Sequence, residues 1–318
     1  MPIPLFADLH TSNQCQMNCD GCAYKGTIDG SMMSEKDHFE VVDQLMDFGV
    51  KAFDFAGGGE PLCLPYIKKL MLHIHKRGCF FGLITNGLGL DDDMADVLVH
   101  CASYVRVSLE ASTVLDYSRY KHVGTDVFYT VYENTQRLLE RKHAIGSMCD
   151  VSVKFSVGRT LWGHEHYQEA IDLGRRMGAD SIQFKALRHE PEELPHSDKI
   201  IQSATLHNVL ERCGDHNVRY WILPWKEEDV PNCWLSPLHT VVDYKGNVYL
   251  CCYYYYREGS HFIGNMLEKK FYEIWGSDRH RQQLQTINKS ECRKVDCKFF
   301  RHHKDYEEAM KMGKVWFL

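Results

Sequence analysis

Between residues 5 and 186, short apolar runs alternate with stretches whose apolar residues recur at helical spacing. The first such helix opens at Ser34, with Asp37 three positions on as a capping-box-like start. It carries Phe39, Val42, Leu45 and Met46 on one face and ends at Gly49. A second has Pro65 in its first turn and Ile67, Leu70, Met71 and Ile74 on one side, before Lys76, Arg77 and Gly78. A third covers 164–177 and stops at Gly178. Each glycine is followed within three residues by a strand: KAFDFA, CFFGLIT and DSIQFKAL. With LFADLH near the start, YVRVSLE at 104–110 and DVSVKFSV at 150–157, six strands alternate with helices. That order requires a parallel sheet and predicts an α/β fold, a partial (β/α)6 barrel with its chemistry at the C-terminal ends of the strands.

A helix at 199–213 and a strand VRYWIL follow, and then the alternation stops. HTVVDYKGNVYLCC reads as a hairpin turning at Lys245-Gly246-Asn247. The expected division is a barrel in residues 1–224 and a small hairpin-plus-helices domain in 225–318, the latter too poor in apolar pattern to fold readily without a staple. The whole chain, 318 residues and 44% hydrophobic, can bury a sizeable core. It has no uncharged apolar run of about 18 residues and no signal-peptide pattern, so a cytoplasmic protein without a membrane partner is expected. A net charge of -6 with no basic stripe argues against nucleic acid as partner.

Thirteen cysteines change the picture. In a reducing compartment, clustered thiols are read first as metal ligands. Cys15, Cys19 and Cys22 follow the first strand in a C-x3-C-x2-C arrangement, among Gln, Asn, Asp and Gly rather than core residues. Soft thiolates grouped this tightly select zinc or an iron–sulfur cluster. Zinc would take His10 or His38 as a fourth ligand. A four-iron cluster on three thiolates would instead keep one iron open for a substrate or cofactor.

In this the chain resembles the radical S-adenosylmethionine (SAM) enzymes. The resemblance implies a [4Fe-4S] cluster on Cys15, Cys19 and Cys22 whose open iron chelates SAM. An electron from an external donor such as flavodoxin or ferredoxin then yields a 5'-deoxyadenosyl radical that takes a hydrogen atom from the substrate. Gly58, Gly59, Glu60 and Pro61 match the family's GGEP loop, which holds the SAM amino group, and Thr85-Asn86-Gly87 resembles a second loop near SAM. Arg106, Ser108 and Glu110 alternate with Val105, Val107 and Leu109, and the family uses such a polar face for the SAM ribose and methionine. Lys154 falls on the polar phase of the fifth strand, either with this set or as a solvated edge lysine. Where the family often has an aromatic residue before the third cysteine, this chain has Gly21, and Tyr24 is expected to meet the adenine instead.

Cys233 and Cys251 enclose the hairpin as C-x12-G-x4-C, with Cys292 and Cys297 downstream. This resembles the SPASM and twitch extensions of the same enzymes and implies a second, auxiliary [4Fe-4S] cluster on Cys233, Cys251, Cys292 and Cys297. A zinc site with these four ligands is the alternative. Cys252 could replace Cys251, since strand neighbours face opposite ways; otherwise it is the candidate hydrogen-atom donor to a substrate radical. Tyr253 to Tyr256, with Arg257 and His261, would suit a wall for a hydroxyl-rich substrate. Cys63, Cys79, Cys101, Cys149 and Cys213 sit at core-like positions, and the histidines of HEH (164–166) and RHH (301–303) are expected to face solvent.

The expected activity is hydrogen abstraction from an unactivated C-H of a polar, sugar- or aminocyclitol-like substrate, giving epimerisation or dehydrogenation. A peptide-modifying enzyme, a nucleotide-modifying enzyme and a zinc-stapled binding protein are the alternatives.

Overall fold

The computed structural model describes residues 2–157, 164–186, 208–209, 211, 220–221, 232–252, 261–287 and 299–312. Seven strands run parallel in chain order: β1 (Phe6–Leu9), β2 (Ala52–Phe55), β3 (Phe80–Thr85), β4 (Tyr104–Glu110), β5 (Asp150–Val157), β6 (Ser181–Ala186) and β7 (Tyr220–Trp221). Helices α1 (Glu35–Phe48), α2 (Ile67–Lys76), α3 (Asp92–Cys101), α4 (Val114–Lys121), α5 (Thr125–Ile145) and α6 (His164–Met177) connect the first six. The result is an α/β partial barrel of the expected kind.

Local chemistry sets these boundaries. Ser34 caps α1 by accepting from the Asp37 N–H, and the helix buries Val41, Val42, Leu45 and Met46 against the sheet. Burial of each such side chain contributes about 1.5–3 kcal/mol. Pro65, expected inside the second helix, precedes it, because a short 3-10 turn at Pro61–Cys63 occupies the chain first and α2 starts only after Tyr66.

The C-terminal segment supplies β8 (His239–Val242), β9 (Asn247–Tyr249) and β10 (Phe262–Asn265). β8 lies parallel to β1, from Phe6 opposite His239 to Leu9 opposite Val242, while β9 and β10 are antiparallel additions. One ten-stranded sheet therefore carries both the barrel and the hairpin. Among the described residues no helix is long and apolar enough to cross a membrane. The predicted helix at 199–213, Cys213, Tyr253 to Tyr256, Arg257, Cys292 and Cys297 lie outside the described residues, apart from helical positions 208, 209 and 211.

In β4 the residues Val105, Val107 and Leu109 belong to the core under the helices. Tyr104, Arg106 and Ser108 consequently face the lumen, as do Asp8, Asp54, Gly82, Ser152 and Lys154 by register.

Candidate active site

The loop after β1 carries Cys15, Cys19 and Cys22, all half-buried. It is pinned on both sides. Asn18 and Asp20 donate backbone N–H groups to the carbonyls of Lys121 and Tyr120 at the end of α4, at 3.2 and 2.9 Å. Asn13 holds the return of the loop, its side chain donating to the Thr27 carbonyl at 2.6 Å.

Burial raises the pKa of all three thiols, that of Cys19 to about 12. Cys19 feels the negative charge of Cys22 and Cys15, and Cys22 that of Cys15, so the three sulfurs share one neighbourhood. Yet among the described residues no three His, Cys, Asp or Glu side chains are arranged to hold a single ion. His10 and His38, candidate fourth ligands for zinc, stand against tyrosines: His10 Nδ1 is 3.2 Å from the Tyr24 hydroxyl and His38 Nδ1 is 2.7 Å from that of Tyr66.

The surroundings fit thiolates bound to a multi-atom centre. Met17 N–H and Tyr24 N–H point at the sulfurs of Cys15 and Cys22, each at 3.4 Å. Amide donors of this kind, with nearby positive charge, stabilise the anionic sulfurs of an iron–sulfur cluster. The charge comes from Lys121, which sequence reasoning missed. A lysine in the last turn of a helix ordinarily reads as a solvated partner of the helix dipole. Here it is 1% exposed, lies 4.9 Å over the Tyr117 ring, donates to the Ser108 carbonyl, and favours the charged forms of Cys19 and Cys15.

The GGEP loop closes against the cysteine loop. Gly59 N–H donates to Ser12 O at 2.6 Å and Glu60 N–H to Gln14 O at 2.7 Å. Gly59 is required by contact, because a Cβ there would lie 2.1 Å from Gln14 O, and Gly58 has a left-handed φ of 71°. Glu60 is buried, and burial raises its pKa. Its carboxylate accepts from the Thr85 hydroxyl at 2.6 Å, the Asn86 N–H at 2.6 Å and the Leu62 N–H at 3.2 Å. Glu60 thereby ties the loops after β2 and β3 together, with Pro61 buried next to it. Asn134 of α5 grips the second loop by donating to the Gly87 and Leu88 carbonyls, both at 3.1 Å. Asn86 donates to the Gln16 side chain at 3.1 Å, close to Cys15.

Glu110 and Lys154 are brought together, which corrects the picture of Lys154 as a solvated edge lysine. Lys154 Nζ donates to both carboxylate oxygens of Glu110 at 2.7 Å, and Ser156 Oγ donates to the same group. Burial opposes the Glu110 charge, but Lys154 and Lys121 outweigh it and hold the carboxyl below its usual range. Glu110 reaches this position through a register shift after Ser108 and a left-handed φ of 76°.

Deeper in the lumen lie groups the sequence did not single out. His239 Nε2 is 3.0 Å from Asp8 Oδ2, both buried, and the Tyr104 hydroxyl donates to Asp54. Ser152 Oγ accepts from Gln183 Nε2 at 3.2 Å.

In the hairpin, Val241 and Tyr249 form a small buried cluster distinct from the main core, and Tyr24, Cys252 and Phe262 pack against it. The expected adenine contact and the expected hydrogen donor thus border the same Val241–Tyr249 pair. Cys233 is exposed, and its sulfur is 4.0 Å from His303 Nε2. His303 is buried, not solvent-facing as its RHH context predicts. The helix at Phe300–Lys311 turns that face to residues 232–234, with Glu307 accepting from Asn232 N–H at 2.7 Å and Trp234 Nε1 at 3.1 Å.

Thiols gathered at the C-terminal mouth of an open α/β barrel, with loops stitched around them, define an iron–sulfur enzyme of the barrel class. Residues 9–155 match the model of the Radical SAM superfamily, and residues 233–298 that of SPASM, an iron-sulfur cluster-binding domain. The chain thus carries a Radical SAM domain and a C-terminal iron-sulfur cluster-binding domain, and the cofactors of these domains are SAM and [4Fe-4S] clusters.

Among curated proteins, the tungsten-containing aldehyde ferredoxin oxidoreductase cofactor-modifying protein of Pyrococcus furiosus is 25% identical over 297 residues, 86% of this chain and 81% of that protein. The S-adenosylmethionine-dependent nucleotide dehydratase of Flammeovirga pacifica is 31% identical over 104 residues, 31% of this chain and 34% of that one. Among solved structures, Streptococcus suis SuiB bound to S-adenosylmethionine has a TM-score of 0.70 at 14% identity, covering 90% of this chain and 68% of SuiB. Native anSMEcpe with bound AdoMet has a TM-score of 0.69 at 18% identity, covering 95% and 88%. BtrN with AdoMet and 2-DOIA has a TM-score of 0.51 at 14% identity, covering 93% and 92%.

Proposed function

We propose that this enzyme abstracts a hydrogen atom from a small polar substrate held in the barrel lumen, and that epimerisation or dehydrogenation follows. The observation that carries this reading is the lumen wall. Below the mouth it is built from Asp8, His239, Asp54, Tyr104, Arg106, Ser152 and Gln183, a lining suited to hydroxyl- and amine-bearing molecules of the sugar or aminocyclitol kind.

In this reading Cys15, Cys19 and Cys22 hold the SAM-binding cluster in the barrel unit, 1–224. Cys233 and Cys251, with Cys292 and Cys297, hold the auxiliary one in 225–318. Bound there, cluster and SAM supply the 5'-deoxyadenosyl radical. The chain itself positions SAM: Gly58, Gly59, Pro61 and Asn86 frame its methionine end, Ser108 and the Glu110–Lys154 pair line the wall beside it, and Tyr24 offers a ring to the adenine. Glu60 acts by locking the two loops. Cys252, which packs against the same Val241–Tyr249 pair as Tyr24, is assigned as the thiol that returns hydrogen in an epimerisation, with flavodoxin or ferredoxin as electron source.

Anaerobic reconstitution with iron and sulfide analysis tests the cofactor assignment: about eight irons per chain are expected for two four-iron sites, and Cys15→Ala should lose half of them. A colourless zinc protein would overturn it. The two outcomes of the chemistry separate by mass. An epimerised product made in D2O gains one non-exchangeable deuterium, and Cys252→Ala abolishes that gain; a dehydrogenated product is two mass units lighter.

A peptide substrate is the second reading. It is favoured by the likeness to SuiB solved with its precursor peptide SuiA and to anSMEcpe solved with the Cp18Cys peptide, at TM-scores of 0.70 and 0.68.

A further inference from the structure

Arg106 is the lumen residue whose chemistry is left incomplete. It projects from the middle of β4, level with Ile84 and Ser152 on the neighbouring strands. Its Nε is buried and has no hydrogen-bond partner among the described residues. The carboxylates around it are committed elsewhere: Asp8 to His239, Asp54 to Tyr104, and Glu110 to Lys154 and Ser156. Among the described residues no carboxylate pairs with the guanidinium, whose charge is felt by Tyr104 below it and Lys154 above. A half-buried guanidinium with empty donors is costly to keep, and its planar fork matches the two oxygens of a carboxylate or phosphate.

We infer that Arg106 is the anion-recognition residue of the substrate pocket, binding a carboxylate or phosphate group carried by the substrate. Its depth separates it from the cofactor region. Ser108, Asn86 and the cysteine and GGEP loops gather at the mouth, whereas Arg106 stands one lumen-facing position farther toward the N-terminal end of β4. An anion seated there anchors the far end of a substrate and leaves its other end toward the mouth, where hydrogen abstraction takes place. The substrate class narrows accordingly to acidic or phosphorylated polar molecules. This inference rests on the polar-substrate reading above.

The test uses the reconstituted, SAM-loaded holoenzyme, titrated calorimetrically with inorganic phosphate and, separately, with acetate as minimal probes. Wild type is expected to bind at least one of them. Arg106→Gln should weaken that binding roughly tenfold or more, and Arg106→Lys, which keeps the charge but not the fork, should fall between. Removing an unpaired buried charge should leave the melting temperature of the Gln variant unchanged or higher; if that variant does not fold, Arg106→Lys carries the comparison. Equal binding by wild type and variants, or binding of neither probe, overturns the inference. SAM affinity is followed in parallel through the change it causes in the EPR spectrum of the reduced cluster. An equal loss there assigns the guanidinium to SAM's own carboxylate, which also overturns it. A protein that holds no iron or does not cleave SAM would instead refute the functional reading.

Discussion

The ring of Tyr104 lies across the bare backbone of Gly82. A Cβ at position 82 would come within 2.1 Å of the Tyr104 ring, so the missing side chain on β3 is what lets the tyrosine span that strand and donate to Asp54 on β2. Gly82→Ala is expected to push the ring off Asp54 and lower stability by about 1–3 kcal/mol, the usual cost of overpacking. Urea unfolding of wild type and variant measures this, and equal midpoints would show that the lumen has slack.

Glu110 and Lys154 form an ion pair away from solvent, with side chains 9% and 15% exposed. Removing one member leaves the other charge unpaired, so Lys154→Met should cost about 3–5 kcal/mol. The double change with Glu110→Gln should recover much of that, because no uncompensated charge remains. If the single variant unfolds at the wild-type urea midpoint, the pair contributes nothing to folding.

Lys121 places a buried cation near Cys19 and Cys15. A cation favours the more negative, reduced form of a cluster. Lys121→Met should therefore retain iron while its midpoint potential falls by an amount on the order of tens of millivolts. A redox titration followed by EPR reads the shift; an unchanged potential would remove Lys121 from the cluster's electrostatics.

Burial lowers the pKa of His38 and of His280 from 6.5 to about 4. The unfolded chain thus takes up these protons first as pH falls. The contribution of these two histidines should be level above pH 6.5 and decline between 6.5 and 4, by about 1.4 kcal/mol per pH unit for each, and Glu60, whose pKa burial raises, offsets part of it. Glu110, depressed below its ordinary value, adds a loss only at lower pH, as the medium falls below the unfolded carboxyl value of about 4.3 and on through the folded one. Chemical denaturation at pH 7.5 and 5.5 checks the sign; equal stabilities would contradict it.

Much of the fold was legible in local pattern. Ser34, Gly49, Gly78 and Gly178 mark real boundaries, and β4 and β5 begin and end at the predicted residues, because a two-residue apolar period and a cap depend on neighbours in the chain. Pro65 misled because the 3-10 turn that displaces it exists to carry Glu60 into its cage of Thr85, Asn86 and Leu62, which is a long-range demand.

By itself, the sequence determined which chemistry is available: three spaced thiols, a GGEP loop, and a polar phase on β4. Those are properties of composition and spacing, written in consecutive residues. Only the tertiary structure decided which side chains meet. It paired Glu110 with Lys154, buried Lys121 beside the thiols and His303 beside Cys233, set Cys252 and Tyr24 against the same Val241–Tyr249 pair, and left Arg106 with no carboxylate partner among the described residues. Each of these joins residues on different strands, helices or loops, and whether a charge is satisfied or left open depends on what the fold packs around it, which no local pattern records.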